Sequence, residues 1–172
     1  TTIISFSNDP VARKNFGPFT NGFIKIEYDN LTALEAALKA NANIAGFLVE
    51  PIQGEAGVYV PSDGYLAAAK ALCEKYKVLF IADEVQTGIA RTGRLLATCG
   101  NCTCPTKNCE GTPETKADIL ILGKALSGGA YPVSAVLAND AIMNVIQPGN
   151  HGSTYGGNPI AAAVAIAALE VV

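Results

Sequence analysis

Short, wholly apolar runs alternate along this chain with stretches whose apolar residues recur every three to four positions. Residues 23–28 predict a strand, and residues 31–39 predict a short amphipathic helix with Asn30 as its cap. Residues 46–50 form a run with two bulky aliphatics that stops at Pro51, the pattern of a buried strand. A helix is predicted from a Ser62 cap through Tyr76, with Tyr65, Ala69, Leu72, Cys73 and Tyr76 at helical spacing. Three more apolar runs follow: 78–82, ending in Asp83 and Glu84; 119–122, ending in Gly123 and Lys124; and 133–138. Asn139 and Asn158 are placed as helix caps, the second followed by Pro159 at the favoured first position. Short apolar strands alternating with helices imply an α/β fold, a mainly parallel sheet with helices on both faces. There is no internal repeat.

Composition narrows the class further. Of 172 residues, 49% are hydrophobic and 16% charged, which excludes a disordered chain. A net charge of −3 gives no basic footprint for nucleic acid or an anionic membrane. The longest uncharged apolar run, 160–169, is half the length of about 20 residues that a membrane span needs. Asp9, Arg13 and Lys14 interrupt the N-terminal stretch, so no signal peptide is expected there. The chain starts without Met and stops inside an apolar helical pattern, so it is expected to be a piece of something longer. Five cysteines, four of them crowded at positions 99, 102, 104 and 109, are not a secreted disulfide scaffold. A reducing compartment is expected, the cytoplasm, with the mitochondrial matrix as the alternative.

Chemistry enters at the strand ends. In open parallel sheets ligands gather beyond the carboxyl ends of the strands. Here those ends carry Glu50, Asp83 and Lys124, each flanked by glycine-containing turns that let backbone approach a ligand. Three charges at buried strand ends are costly unless they pair with one another or with a ligand. The stretch Phe80 to Glu84 has the look of a Walker B strand, which calls for a phosphate loop of the form G-x-x-x-x-G-K-[ST]. Only Gly123-Lys124 approximates it: Asp118 stands in place of the first glycine and Ala125 in place of the hydroxyl. The ATPase reading fails there. A buried lysine at a strand end near an aspartate suits instead an amine that forms a Schiff base, beside a carboxylate that keeps a pyridinium nitrogen protonated.

Residues 80–88 (FIADEVQTG), then 91–93 (RTG), then 123–129 (GKALSGG) resemble the signature of the class III pyridoxal-phosphate aminotransferases. Residues 50–57 (EPIQGEAG) and 151–159 (HGSTYGGNP) are similar to further blocks of that family. The resemblance runs from about Phe16 to the end, apart from 99–116. It implies part of the cofactor-binding large domain of a fold-type I enzyme over residues 1–172. The upstream phosphate loop and ring-stacking aromatic, and the C-terminal small domain, would lie outside the chain, and the chain alone is expected to be inactive. The cofactor implied is pyridoxal 5′-phosphate, in a homodimer that takes small-molecule substrates.

Carried over position by position, the resemblance makes Lys124 the Schiff-base lysine and proton carrier, and Asp83 the partner of the pyridine nitrogen. Gln86 would bond the phenolate oxygen, while Ser153 and Thr154 would reach the phosphate from the neighbouring subunit. Glu50 would sit beside ring and substrate. Glu55 would be a gate that an arginine of the absent C-terminal part covers and uncovers. Within the family, residues 60–66 and 129–136 match members that pass the δ-amino group of L-ornithine to 2-oxoglutarate, on the way to proline. Acetylornithine or another ω-amino acid is the alternative donor. His151, the single histidine, is read as structural, and Glu84 and Arg91 as pairing or bonding turn backbone.

The segment 99–116 departs from the family as a turn-rich insertion. Its C-x₂-C-x-C-x₄-C spacing is open to three readings: a zinc site in a binding module, one or two local disulfides, or free thiols. The gap of one residue between Cys102 and Cys104 is awkward for two ligands of one metal, so no metal is assigned. The insertion is expected to be dispensable for catalysis.

Overall fold

In the computed structural model, residues 2–99 and 115–172 are described, and they fall into two compact units, Thr1–Ala42 and Asn43–Val172. The first unit holds three helices: α1 (Thr2–Ser5), α2 (Pro10–Arg13) and α3 (Leu31–Ala40). Asn30 caps α3 as its sequence predicts, its side-chain oxygen accepting from Ala33 N–H at 2.8 Å. In α2, Asp9 plays the same role toward Val11 N–H. The guanidinium of Arg13 donates to the carbonyls of Ile4, Ser5 and Ser7, gathering the end of α1 onto α2.

The strand predicted at 23–28 is a correction. These residues are irregular, with Phe23 and Ile24 largely exposed. Period-two alternation makes a strand only where a neighbour supplies the ladder, and among the described residues none pairs here.

The second unit is built on a four-stranded sheet in the order β1 (Gly46–Val49), β2 (Leu79–Asp83), β3 (Ile119–Leu122) and β4 (Ala135–Ala138). The first three strands are parallel, in the register Val49↔Ala82 and Asp83↔Ile121, so their carboxyl ends form one edge. β4 returns antiparallel with Ala135 opposite Leu122, starting at that same edge. The fold is thus α/β with a mostly parallel sheet.

Between β1 and β2 runs α4 (Tyr65–Tyr76). It begins three residues after the Ser62 expected as its cap, because Gly64 adopts a left-handed turn (φ 81°) immediately before it. Tyr65, Ala69 and Cys73 of α4 are buried, and so are Phe80 and Ala82 of β2, whose alternate residues are only half-buried. After β4 come α5 (Asp140–Met143) and α6 (Pro159–Val171), capped by Asn139 and Asn158 as the sequence indicates. Ala165 of α6 joins the cluster of Ile89, Leu122 and Leu126. No helix among the described residues is long and apolar enough to cross a membrane.

One ion pair locks the far end of the sheet. The ammonium of Lys70, on α4, lies 2.9 Å from both carboxylate oxygens of Asp118. Asp118 also accepts from Phe80 N–H at 2.7 Å and donates its own N–H to Phe80 carbonyl at 2.9 Å. β2 and β3 are thereby held in register just before the run 119–122. Removing one partner of a fully buried pair costs about 3–5 kcal/mol, because the other charge is stranded. Here Asp118 is partly exposed and Lys70 also has Glu74 at 3.5 Å, so the cost is smaller.

One turn along α4 from Lys70, burial pushes the Cys73 thiol up from 9.0 to about 11, against the pull of Lys70 and with smaller help from Asp118 and Glu74. A folded pKa above the unfolded one gives stability that is complete below pH 9 and lost as pH rises from 9 through 11. Native full-length protein should therefore resist alkylation at Cys73 at pH 8 and react there once denatured. Its melting temperature should fall between pH 9 and 11, and less steeply in Cys73→Ala; equal slopes would contradict this.

Candidate active site

Elementary sheet geometry brings the site together. Parallel strands in register end together, so the residues after them share one edge. Glu50 follows β1, Asp83 closes β2, and Lys124 follows β3 after Gly123. Gln86 and Gly54 link Lys124 to Glu50 through contacts that spacing alone does not reveal.

Lys124 opens a short 3₁₀ turn, Lys124–Ser127, with a backbone φ of 42°. A non-glycine residue there costs roughly 1–2 kcal/mol and persists only where its surroundings impose it. Gly123 imposes part of that path: a Cβ on it would stand 3.2 Å from Val85 and 3.8 Å from Ser134. Lys124, expected from the sequence to be buried, is exposed, because it follows the strand rather than lying in it. Its ammonium donates to the side-chain oxygen of Gln86 in a short hydrogen bond.

Gln86 in turn lies over Gly54, where a Cβ would sit 2.2 Å from its Nε2. Only glycine leaves room for that amide. The N–H of Gly54 donates to Glu50 Oε2 at 3.1 Å, so the loop after β1 is folded back onto Glu50. Asp83, half-buried at the end of β2, accepts from Val85 N–H at 3.1 Å through Oδ1, and among the described residues nothing holds its Oδ2. An amine and an amide thus meet at the strand edge that the Asp83 carboxylate closes, with small residues around them. That donor set fits a group presenting an aldehyde, a phenolate and a basic ring nitrogen.

The other expected residues stand apart. Glu55 is exposed at the tip of the loop after Glu50. Ser153 and Thr154 are exposed, Ser153 Oγ accepting from Gly156 N–H at 2.9 Å, and no hydrogen bond among the described residues links them to the Lys124–Gln86 pair. His151 is likewise exposed. Glu84 bonds loop backbone and Arg91 lies at the surface, so the two do not pair. The side chains of Cys99, Cys102, Cys104 and Cys109 lie outside the described residues. Among those described, no group of His, Cys, Asp and Glu is arranged to hold a metal. The backbone of Lys124, the Gly54 cradle and the network around Glu84 had no signal in the sequence beyond the presence of the glycines.

A lysine after one strand and a carboxylate closing its neighbour thus stand at the open edge of a mostly parallel sheet in an α/β fold. The chain belongs to the class-III aminotransferases, a pyridoxal-phosphate-dependent family whose profile matches residues 1–172. It is 61% identical over 168 residues to the mitochondrial ornithine aminotransferase of Drosophila melanogaster, covering 98% of this chain and 36% of that protein. The chain therefore spans about a third of that relative's length. Among solved structures it is similar to the ornithine aminotransferase of Toxoplasma gondii crystallised with oxidised glutathione, described as having partial occupancy of PLP at its active site. That match has a TM-score of 0.88 and 52% identity, over 99% of this chain and 37% of that one. It is also similar to the acetylornithine aminotransferase of Elizabethkingia anophelis, with a TM-score of 0.76 and 63% identity over 89% of this chain and 37% of that one.

Proposed function

We propose that the full-length protein containing this chain moves the δ-amino group of L-ornithine to 2-oxoglutarate, giving glutamate 5-semialdehyde and glutamate, a step toward proline. The observation that carries this is the hydrogen bond of the Lys124 amine to the Gln86 amide at the same sheet edge that Asp83 closes. The names of the fly and Toxoplasma relatives support the donor. Pyridoxal phosphate, when bound, supplies an electron sink for carbanion chemistry at an amine-bearing carbon.

Everything else is the protein's part. Lys124 Nζ holds the cofactor's aldehyde carbon and carries the proton at the substrate's amine-bearing carbon. Asp83 keeps the ring nitrogen protonated, and Gln86 bonds the phenolate oxygen. Glu50 flanks the ring and substrate, and Glu55 gates the acceptor's second carboxylate. Ser153 and Thr154 serve the phosphate of a neighbouring subunit in a homodimer; their exposure, with no hydrogen bond to Lys124 among the described residues, supports that role. The chain is part of the cofactor-binding large domain. For the compartment, the fly relative's name favours the mitochondrial matrix over the cytoplasm.

The similarity to the Elizabethkingia enzyme sustains a second reading, with acetylornithine as donor. A donor panel of ornithine, acetylornithine and 4-aminobutyrate, run on full-length protein with 2-oxoglutarate, separates the two. Visible colour with ornithine as the fastest donor is expected. Colour with acetylornithine preferred moves the substrate, and absence of colour removes the enzyme reading.

A further inference from the structure

Among the described residues, Glu84 is the one buried carboxylate, and the proposed chemistry leaves it unused. It is fully buried, and none of the ion pairs among the described residues includes it. A carboxylate in that setting must be satisfied by hydrogen bonds. Its Oε1 accepts from Thr98 N–H at 2.7 Å, and its Oε2 from Ala97 N–H at 3.0 Å and from the Thr87 hydroxyl.

The backbone of Glu84 is equally committed. Its N–H donates to the Ile121 carbonyl of β3 at 2.9 Å, and its carbonyl accepts from Gly88 N–H at 2.8 Å. A Cβ at residue 88 would stand 2.8 Å from that carbonyl oxygen, so the turn closes only on glycine. The turn 84–88 is thus shut by one residue three ways: to β3, which leads to Lys124; to Gly88; and through its side chain to Thr87. At its apex is Gln86, which reaches Lys124, and next to Glu84 is Asp83. The same carboxylate grips the loop at 97–98, where the Thr115 hydroxyl donates to the Thr98 carbonyl at 2.6 Å. The two stems of the segment 99–114 are therefore joined to each other and fastened to the residue beside Asp83.

We propose that Glu84 is a positioning residue for the cofactor site: its buried carboxylate fixes the turn that presents Gln86 to Lys124. This rests on the function proposed above. Glu84 touches neither substrate nor cofactor; it acts through Gln86.

The test uses full-length protein and two readouts besides turnover: the dissociation constant for pyridoxal phosphate added to apoprotein, and the pH midpoint of the bound cofactor's visible band. Glu84→Ala should weaken binding by about tenfold and displace the midpoint, the scale of losing charge-assisted hydrogen bonds. Glu84→Gln keeps an oxygen for Thr98 N–H but sets an amide N–H₂ against Ala97 N–H, so it should fall between. In a Gln86→Ala background, adding Glu84→Ala should change either readout by less than about twofold, since coupled residues are not additive. A lowered melting temperature with affinity and midpoint unchanged would overturn the proposal. Equal effects with and without Gln86 would overturn it as well. Should Glu84→Ala fail to fold, Glu84→Gln and Thr87→Val face the same criteria. Wild-type protein that binds no pyridoxal phosphate would remove the functional reading together with this inference; binding that the variants leave intact removes the inference alone.

Discussion

Lys124→Ala should leave the full-length protein folded and its turnover lower by on the order of 10³-fold or more, because a covalent catalyst has no substitute nearby. Folding is expected to survive. The side chain is exposed, and among the described residues its one hydrogen bond is to Gln86. The left-handed backbone at φ 42° is shared by both variants, so the strain does not change sign or size to first order. Cofactor should still associate through its other contacts, but without a bond that borohydride can reduce. Turnover within tenfold of wild type, measured on purified protein with ornithine and 2-oxoglutarate, would exclude Lys124 from the role.

Asp83→Asn is the second large effect. The substitution preserves size and leaves an oxygen to accept from Val85 N–H, so the end of β2 should keep its shape. What disappears is the negative charge that favours a proton on a ring nitrogen. Charge placed in advance where it is needed commonly contributes 10²-fold or more, and a loss of about that size in turnover is expected, with cofactor bound more weakly. The visible spectrum of the bound cofactor should shift along with the rate. An unchanged spectrum and an unchanged rate would make Asp83 a structural residue.

Much of this was legible in the residues, for reasons that can be named. The runs 79–82 and 119–122 are short and apolar because β2 and β3 lie inside the sheet, and their ends therefore announce the site edge. β1, whose pattern is that of a buried strand, is instead an outer strand of the described sheet with Leu48 exposed. Asn30, Asn139 and Asn158 cap helices because a side-chain oxygen can reach a backbone N–H in the first turn.

What was not legible depends on partners distant in sequence. The stretch 23–28 alternates without a ladder to join, and nothing in its own residues says so. The reversed direction of β4 is set by the connection 123–134, not by its apolar run, which parallel and antiparallel strands share. The contact of Gln86 with Gly54 and the salt bridge of Lys70 with Asp118 span 32 and 48 residues of sequence. Lys124 and Ile89 adopt left-handed backbone although their side chains disfavour it, Ile89 being held by an N–H bond of 2.7 Å to the Leu95 carbonyl. Such conformations are imposed by tertiary context. The roles proposed for Ser153 and Thr154 would involve a second subunit, which a single chain cannot display.

The central claim is that Lys124 is the amine that takes the cofactor, and one measurement addresses it directly. Full-length protein loaded with pyridoxal phosphate is reduced with borohydride, digested, and its labelled peptide sequenced by mass spectrometry. The account predicts a single pyridoxyl label, on Lys124, in the peptide that continues into Ala125, Leu126 and Ser127. A label on any other lysine, or none on protein shown to be coloured before reduction, would contradict it.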